Sequence, residues 1–210
     1  MSKIFGLFGC GGFGREIIAY INDSKIDEIY FIDDSITKEK KNNISVLSRE
    51  DFLSKEAQQK YFNISVADSK QRKEIVNFFL DKGIEPFQII SPTSIVSEYS
   101  QIEQGAIVCD YTIISPNTVI GKYFHLNRFS QVAHDCVIGD YVTLAPSVNC
   151  NGNVIIGDNV YIGTGAIIRN GSENRPIVIG KNSVVGMGAV VTKSVPENVT
   201  VIGNPARVLQ

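Results

Sequence analysis

From Val96 onward an aliphatic residue returns every sixth position. The series runs Val96, Ile102, Val108, Ile114, Ile120, Leu126, Val132, Ile138, Leu144, then Cys150, then Ile156, Ile162 and Ile168. Five extra residues in "RNGSENRPIVIG" interrupt the count, which resumes at Ile179, Val185 and Val191. A period of six fits neither an α-helix nor a hairpin meander. It fits a solenoid of short parallel strands joined by tight turns, with three hexapeptides to a triangular coil. The aliphatic residue points inward and stacks on its counterpart in the next coil. Gly or Asn often follows it, as at Gly121, Asn127, Gly139, Asn151, Gly157 and Gly163, and these residues are expected to supply the unusual backbone angles of the corners. A β-sandwich is the alternative, but its turns do not recur at a fixed six.

Residues 1–88 follow a different grammar. "KIFGLF" reads as a strand, "GFGREIIAYIND" as a helix with Ile17, Ile18 and Ile21 on one face, and "EIYFID" and "YFNISVA" as further strands. "DSKQRKEIVNFFLDKG" reads as a helix capped by Asp68 or Ser69 and ended by Gly83. Alternating strands and helices imply a parallel sheet with helices packed on it. The expected architecture is α/β plus all-β: a small Rossmann-like parallel α/β domain over 1–88, then a parallel β-helix over 89–210.

The first turn, "GCGGFGRE", carries Gly9-x-Gly11-x-x-Gly14, with Gly12 between. Such a loop brings backbone N–H groups close to a diphosphate. Asp33 and Asp34 follow about twenty residues on, where an oxidoreductase would hold a ribose. The motif alone separates neither a dinucleotide from a nucleotide sugar nor either from a glycine turn that only permits tight packing.

Composition removes other classes. The net charge of -2 gives no basic footprint for nucleic acid. No apolar run approaches a membrane span, and "MSKIFGLFGCGG" reads as a strand and turn rather than a signal peptide. Cys10, Cys109, Cys136 and Cys150 lack metal-ligand or disulfide spacing, which suits free thiols in a reducing cytoplasm. With two histidines, His125 and His134, a three-histidine zinc site on a β-helix is set aside, and no metal is expected.

The hexapeptide run, "VAHDCVIGD" within it, and the ending "VGMGAVVTKSVPENVTVIGNPARVL" resemble the left-handed β-helix acyltransferases. With "GCGGFGREI…FIDD…VADSKQRKEI" ahead of them, the whole chain resembles the bacterial acyltransferases that act on nucleotide-linked amino sugars. Sialic acid O-acetyltransferase-like proteins are relatives. Left-handed coils depart from the usual right-handed crossover; the handedness is implied by the resemblance alone.

The resemblance implies acetyl-coenzyme A as donor and a nucleotide-linked 4-amino-4,6-dideoxyhexose as acceptor, in cytoplasmic synthesis of surface glycans such as O-antigen lipopolysaccharide. It leans to a deoxythymidine carrier over uridine, with guanosine also open. Gly9, Gly11, Gly12, Gly14, Asp33, Asp34 and Asp68 would hold the nucleotide sugar. His134 matches the catalytic histidine and suits general-base chemistry near neutrality. Asp135 would orient it. Asn127 would position the amine. Gly152, one coil of eighteen residues after His134, would offer a backbone N–H to the oxyanion. His125 matches no role and reads as a surface or interface histidine. Thr143 stands where some relatives have a second histidine against the acyl donor. Gly163, Gly186, Gly188 and Ala189 would keep the pantetheine approach open, Lys193 and Arg207 would meet phosphates, and Pro205 would fix the C-terminal turn. A homotrimer with active sites between subunits is implied. The competing readings are sugar O-acylation, a nicotinamide-dependent oxidoreductase and a non-catalytic scaffold.

Overall fold

The structure is a computed structural model that describes residues 2–21, 26–36 and 39–209. The chain divides into two compact units, Met1–Ile89 and Ile90–Gln210.

The first unit is a six-stranded sheet. Its strands are β1 (Lys3–Phe8), β2 (Glu28–Ile32), β3 (Lys40–Lys41), β4 (Ile44–Leu47), β5 (Gln59–Ile64) and β6 (Glu85–Pro86), in the order β3-β4-β2-β1-β5-β6. All neighbours are parallel except β3 and β4. From β1 the chain builds first toward β2 and later toward β5, so the order reverses at β1. Ligands of open α/β sheets bind outside the carboxyl ends of the strands at such a switch.

Among the described residues three α-helices pack here: α1 (Gly12–Ile17), α2 (Arg49–Ser54) and α3 (Ser69–Asp81). The expected helix over 12–23 is shorter. It passes into a 3-10 turn at Ile18–Tyr20, and Asn22 and Asp23 lie outside the described residues. Ile17, Ile18 and Ile21 are all buried. The short pieces β3, β4 and α2 carry little periodicity and escape a sequence reading, although Ser48 caps α2 by accepting from Asp51 N–H at 3.0 Å. Phe52, Phe62 and Phe79 meet in an aromatic core, Phe62 and Phe79 stacking at 4.9 Å.

The second unit is a triangular prism whose walls are ladders of two- and three-residue parallel strands. Ladder partners lie eighteen residues apart, as Val132 and Cys150 do, but twenty-three apart across the interruption, as Ile168 and Val191 do, and sixteen apart at the last parallel rung, as Val185 and Val201 do. The insertion is therefore five residues. Every inward position from Val108 to Val191 is at most 2% exposed. Each buried Ile or Leu contributes about 2 kcal/mol of apolar burial, and the stacked column repeats that gain along the prism axis.

The corners differ from expectation. Gly121, Gly139, Gly157 and Gly163 are not the left-handed residues. Those lie three positions after the inward residue, at Tyr111, Asn117, Tyr123, Phe129, Asp135, Tyr141, Ser147, Asn153 and Asn159, with φ between 54 and 61°. Bulky aromatics rarely adopt such angles. Here they stack on their counterparts in the next coil: Tyr111 on Phe129 at 5.5 Å and Tyr123 on Tyr141 at 5.3 Å. The glycines directly after the inward residue meet a different need. A Cβ on Gly121 would lie 2.7 Å from the Gly139 carbonyl carbon, and one on Gly163 would lie 2.6 Å from Met187 N. They are small so that coils can stack.

Candidate active site

Adding two residues to the stacked series Val132, Cys150, Ile168 and Val191 gives one column on one edge of the prism: His134, Gly152, Asn170 and Lys193. His134 projects outward, its side chain 59% exposed, and Nδ1 lies 2.7 Å from Asp135 Oδ2. With the proton on Nδ1 donated to that carboxylate, Nε2 carries the lone pair. Asp135 takes the left-handed corner, φ 58°. Its second oxygen accepts from Asn117 Nδ2 at 3.1 Å. The contacts with His134 and Asn117 hold its carboxyl below the usual carboxylate range. Asn117 escaped the sequence reading. Its signal is position, eighteen residues ahead of Asp135 and therefore one coil above it.

The imidazole packs against Gly152. A Cβ there would approach Nε2 to 2.6 Å, so only glycine leaves room for the ring. Among the described residues no backbone carbonyl accepts from the Gly152 N–H. Cys136 and Cys150 are fully buried, and the Cys136 thiol donates to Asn151 O at 3.2 Å. Neither can reach an acyl donor outside the prism.

The remaining expected residues fall elsewhere. Asn127, Gly163 and Gly186 form a column on a different edge, one residue beyond the stacked Leu126, Leu144, Ile162 and Val185. Asn127 Nδ2 donates to Leu144 O at 3.0 Å. Gly188 takes φ +66° with open space where a Cβ would be, and Ala189 is buried. Thr143 is buried beside His125 on one wall. His125 itself is 1% exposed, so the histidine expected at a surface or interface is buried within the chain. Arg207 lies in the closing antiparallel strand, opposite Ile202, and the Asn204–Pro205 bond before it is cis. Within one chain, then, the base edge and the small-residue edge are separate.

The first unit holds its own cleft of about 470 Å³ at the ends of β1 and β2, lined among others by Gly9, Asp33, Asp34, Ser35, Arg49 and Glu74. The four glycines divide into two pairs. Gly9 has φ +98°, and a Cβ on Gly14 would overlap Gly9 O, so packing alone requires both. Gly11 and Gly12 have nothing within 4 Å of a Cβ position. Packing does not require them, and the space over them is open to a ligand. Asp33 accepts from the Ser35 hydroxyl at 2.6 Å and the Ser35 N–H at 3.0 Å. Burial works against its charge, but these bonds win and hold the carboxyl below its ordinary value. Asp34 pairs with Arg49 at 2.6 Å, whose guanidinium lies 4.7 Å from the Phe78 ring centre. Asp68 does not line this cleft. It caps α3, accepting from Gln71 N–H at 2.8 Å. Arg49 and Glu74 come from elements that only tertiary folding brings to the loop.

Residues 5–79 match the family model of the PglD N-terminal domain, and residues 153–193 match the hexapeptide repeat of succinyl-transferase. Over 214 aligned residues the chain is 46% identical to the GDP-perosamine N-acetyltransferase of Escherichia coli O157:H7, covering 99% of this chain and 97% of that one. The chain belongs to the hexapeptide-repeat nucleotide amino-sugar N-acetyltransferases. Among solved structures, WeeI from Acinetobacter baumannii AYE superposes with a TM-score of 0.96 at 45% identity, covering 99% of this chain and all of that one. The acetyltransferase domain of PglB from Neisseria gonorrhoeae FA1090, solved in complex with acetyl coenzyme A, gives 0.89 at 26% identity with full coverage of both. As a member of this family the chain is an N-acetyltransferase built on a left-handed parallel β-helix. Among the described residues no helix is long and apolar enough to cross a membrane.

Proposed function

We propose that the protein transfers the acetyl group of acetyl-coenzyme A to the 4-amino group of a nucleotide-linked 4-amino-4,6-dideoxyhexose, with His134 as general base. One observation carries this reading: a histidine tied through Nδ1 to a carboxylate sets its ring against Gly152, where no side chain could stand. The neutral amine attacks the thioester carbonyl. Nε2 takes the proton that the nitrogen loses as the C–N bond forms. The carbonyl oxygen becomes an oxyanion and accepts from Gly152 N–H. The intermediate then collapses, the C–S bond breaks, and the departing thiolate takes the proton back from the imidazolium. Asp135 holds the tautomer and stabilises the imidazolium without changing its own protonation.

The carrier favoured is guanosine diphosphate, in place of the deoxythymidine lean, because the relative at 46% identity is named for GDP-perosamine. The cleft beside Gly9 and Asp33 takes the nucleotide, and its diphosphate lies over Gly11 and Gly12. The active form is a homotrimer. A cyclic array of prisms sets the His134 edge of one chain beside the Asn127, Gly163 and Gly186 edge of the next, where the pantetheine arm lies. The enzyme serves cytoplasmic synthesis of surface glycans.

The test is free thiol release from acetyl-coenzyme A with a panel of 4-amino-4,6-dideoxy sugars on GDP, dTDP and UDP, paired with their 4-hydroxyl analogues. Release with the GDP amino sugar, lost in His134→Ala, is expected. Release with hydroxyl acceptors only would make the protein an O-acetyltransferase. Release undiminished in His134→Ala would remove the base assigned here.

A further inference from the structure

Two edges of the prism carry a ladder of polar side chains at their left-handed corners. On one edge Asn159 Nδ2 donates to Asn182 Oδ1 at 3.1 Å, and Asn182 Nδ2 donates to Asn198 Oδ1 at 2.9 Å. All three take φ between 57 and 60°, a backbone that Asn tolerates better than most residues. On the His134 edge the corner column runs Asn117, Asp135, Asn153, with φ of 58, 58 and 56°. Asn117 Nδ2 again donates to the next coil, here to Asp135 Oδ1 at 3.1 Å.

The two ladders differ in the group that receives. Asn182 passes a bond on, because an amide both donates and accepts. An ionised carboxylate only accepts, so the second ladder ends at Asp135. Its oxygens are divided between two donors: Oδ2 meets His134 Nδ1 at 2.7 Å, and Oδ1 meets Asn117. Two fixed points set the plane of the carboxylate, where one would leave the group free to turn about its broad terminal torsion. The corner itself does not need the amide. Asp135 N–H donates to Pro116 O at 3.2 Å, Asn153 N–H donates to His134 O at 3.1 Å, and Ser147 takes an equivalent corner at φ 61° with no amide at all.

We propose that Asn117 is a positioning residue for the acetyl transfer: its amide fixes the Asp135 carboxylate so that Oδ2 faces His134 Nδ1 and the imidazole proton stays on that nitrogen. The inference rests on the general-base reading above. Asn117 acts through Asp135, from one coil away, about 4.8 Å. The order of the two groups then matters more than their presence. In Asp135→Asn alone two amides meet and pair in either order. In one order an N–H2 faces the ring and drives the imidazole proton to Nε2, where no base remains. In Asn117→Asp alone two carboxylates stack, and their repulsion turns Asp135 away from the ring. In the exchanged pair, Asn117→Asp with Asp135→Asn, the carboxylate stands on the preceding coil and accepts from the amide. The amide oxygen is thereby aimed at His134 Nδ1 and keeps the proton there.

The experiment reads the His134 tautomer by nitrogen NMR of protein carrying isotope-labelled histidine, in the wild type, both single variants and the exchanged pair. The chain has two histidines, and the other, His125, is buried, so a His134→Ala sample assigns the signals. Asp and Asn each already occupy a corner of this column at φ 58°, so the fold should survive both changes, and a thermal melt checks this. The proton is expected on Nδ1 in the wild type and mostly there in the exchanged pair, but shared between the two nitrogens in Asp135→Asn. In acetyl transfer the kcat of the exchanged pair should exceed that of either single variant by about fivefold, the worth of one neutral hydrogen bond, with KM little changed. An exchanged pair whose imidazole matches that of Asp135→Asn alone would overturn the assignment. So would kcat losses that simply add in the pair, which is the outcome for an asparagine that only shapes its corner. The tautomer is read without turnover. Nδ1 protonation restored in the pair, in a protein that acetylates no amino sugar, would sink the functional reading and leave the hold of Asn117 on the imidazole standing.

Discussion

Two edges of one prism, built from the same six-residue repeat, have diverged in kind. The His134 edge carries a charge-organised base: carboxylate, imidazole and a glycine on adjacent coils. The edge of Asn127, Gly163 and Gly186 carries small residues and a side-chain amide that donates to Leu144 O of the next coil. The repeat explains both. A column position recurs once per coil, so a side chain placed there always faces the same position of its neighbour. On one edge that arrangement lets a ring rest on a glycine. On the other it lets coil lie on coil. In the function proposed above, chemistry belongs to the first edge and access to the second, and substitutions should separate them.

The largest effect is expected from His134→Ala. Loss of a positioned general base lowers kcat by about a thousandfold, with little change in thermal midpoint because the side chain is mostly exposed. A stopped assay with a melt on the same samples checks both.

Gly152→Ala comes next. The new methyl occupies the space of Nε2, 2.6 Å away, and must push the ring off Asp135. A misplaced reacting atom costs about a hundredfold in kcat, while the KM for acetyl-coenzyme A should move far less. A change confined to KM would break the claim that this glycine serves the base.

Asp135→Asn should lower kcat about tenfold across the neutral range. The sign of the pH dependence follows from the depressed carboxyl. A group whose folded value is lowered makes its contribution above its unfolded value and loses it as pH falls through the folded one. The wild-type enzyme should therefore keep the Asp135 contribution down through the ordinary carboxylate range, whereas the variant is impaired at every pH. Convergence of the two profiles near neutrality would contradict this.

The smallest effect on kcat is expected on the other edge. In Gly163→Ala the methyl meets Met187 N at 2.6 Å, backbone that cannot step aside. The cost, about 2 kcal/mol of stability, should appear in denaturant unfolding and leave the remaining folded enzyme with near-normal kcat. A collapse of kcat without loss of stability would put Gly163 in the chemistry.

The solenoid was legible because an inward residue must recur in every coil, and a single strict period admits few folds. That His134 and Gly152 share one column was legible for the same reason, since eighteen residues is one coil. The corners were misread because two demands select glycine and asparagine. Clearance between coils places Gly121 and Gly163, whereas left-handed backbone falls at positions three residues beyond the inward one, where Tyr111 and Phe129 tolerate it by stacking. Asn117 was missed because its partner is a coil away and no motif names it. Arg49 was missed because it reaches the glycine loop from α2, an element too short to announce itself. The two pairs of glycines in "GCGGFG" could not be told apart without coordinates, since only the structure shows that Gly9 and Gly14 answer to packing and Gly11 and Gly12 do not.

The most direct measurement is complementation between the two edges. His134→Ala chains and chains with Gly186→Trp, which blocks the small-residue edge, would each be assayed alone, then unfolded together, refolded as a mixture and assayed again with acetyl-coenzyme A and the amino-sugar acceptor. If each active site takes its base from one chain and its donor groove from the next, both parents are inactive. The mixture then regains about a quarter of wild-type activity from interfaces that pair two intact edges. A mixture as inactive as its parents, with both variants folded and mixed oligomers demonstrated, would contradict a site shared between chains.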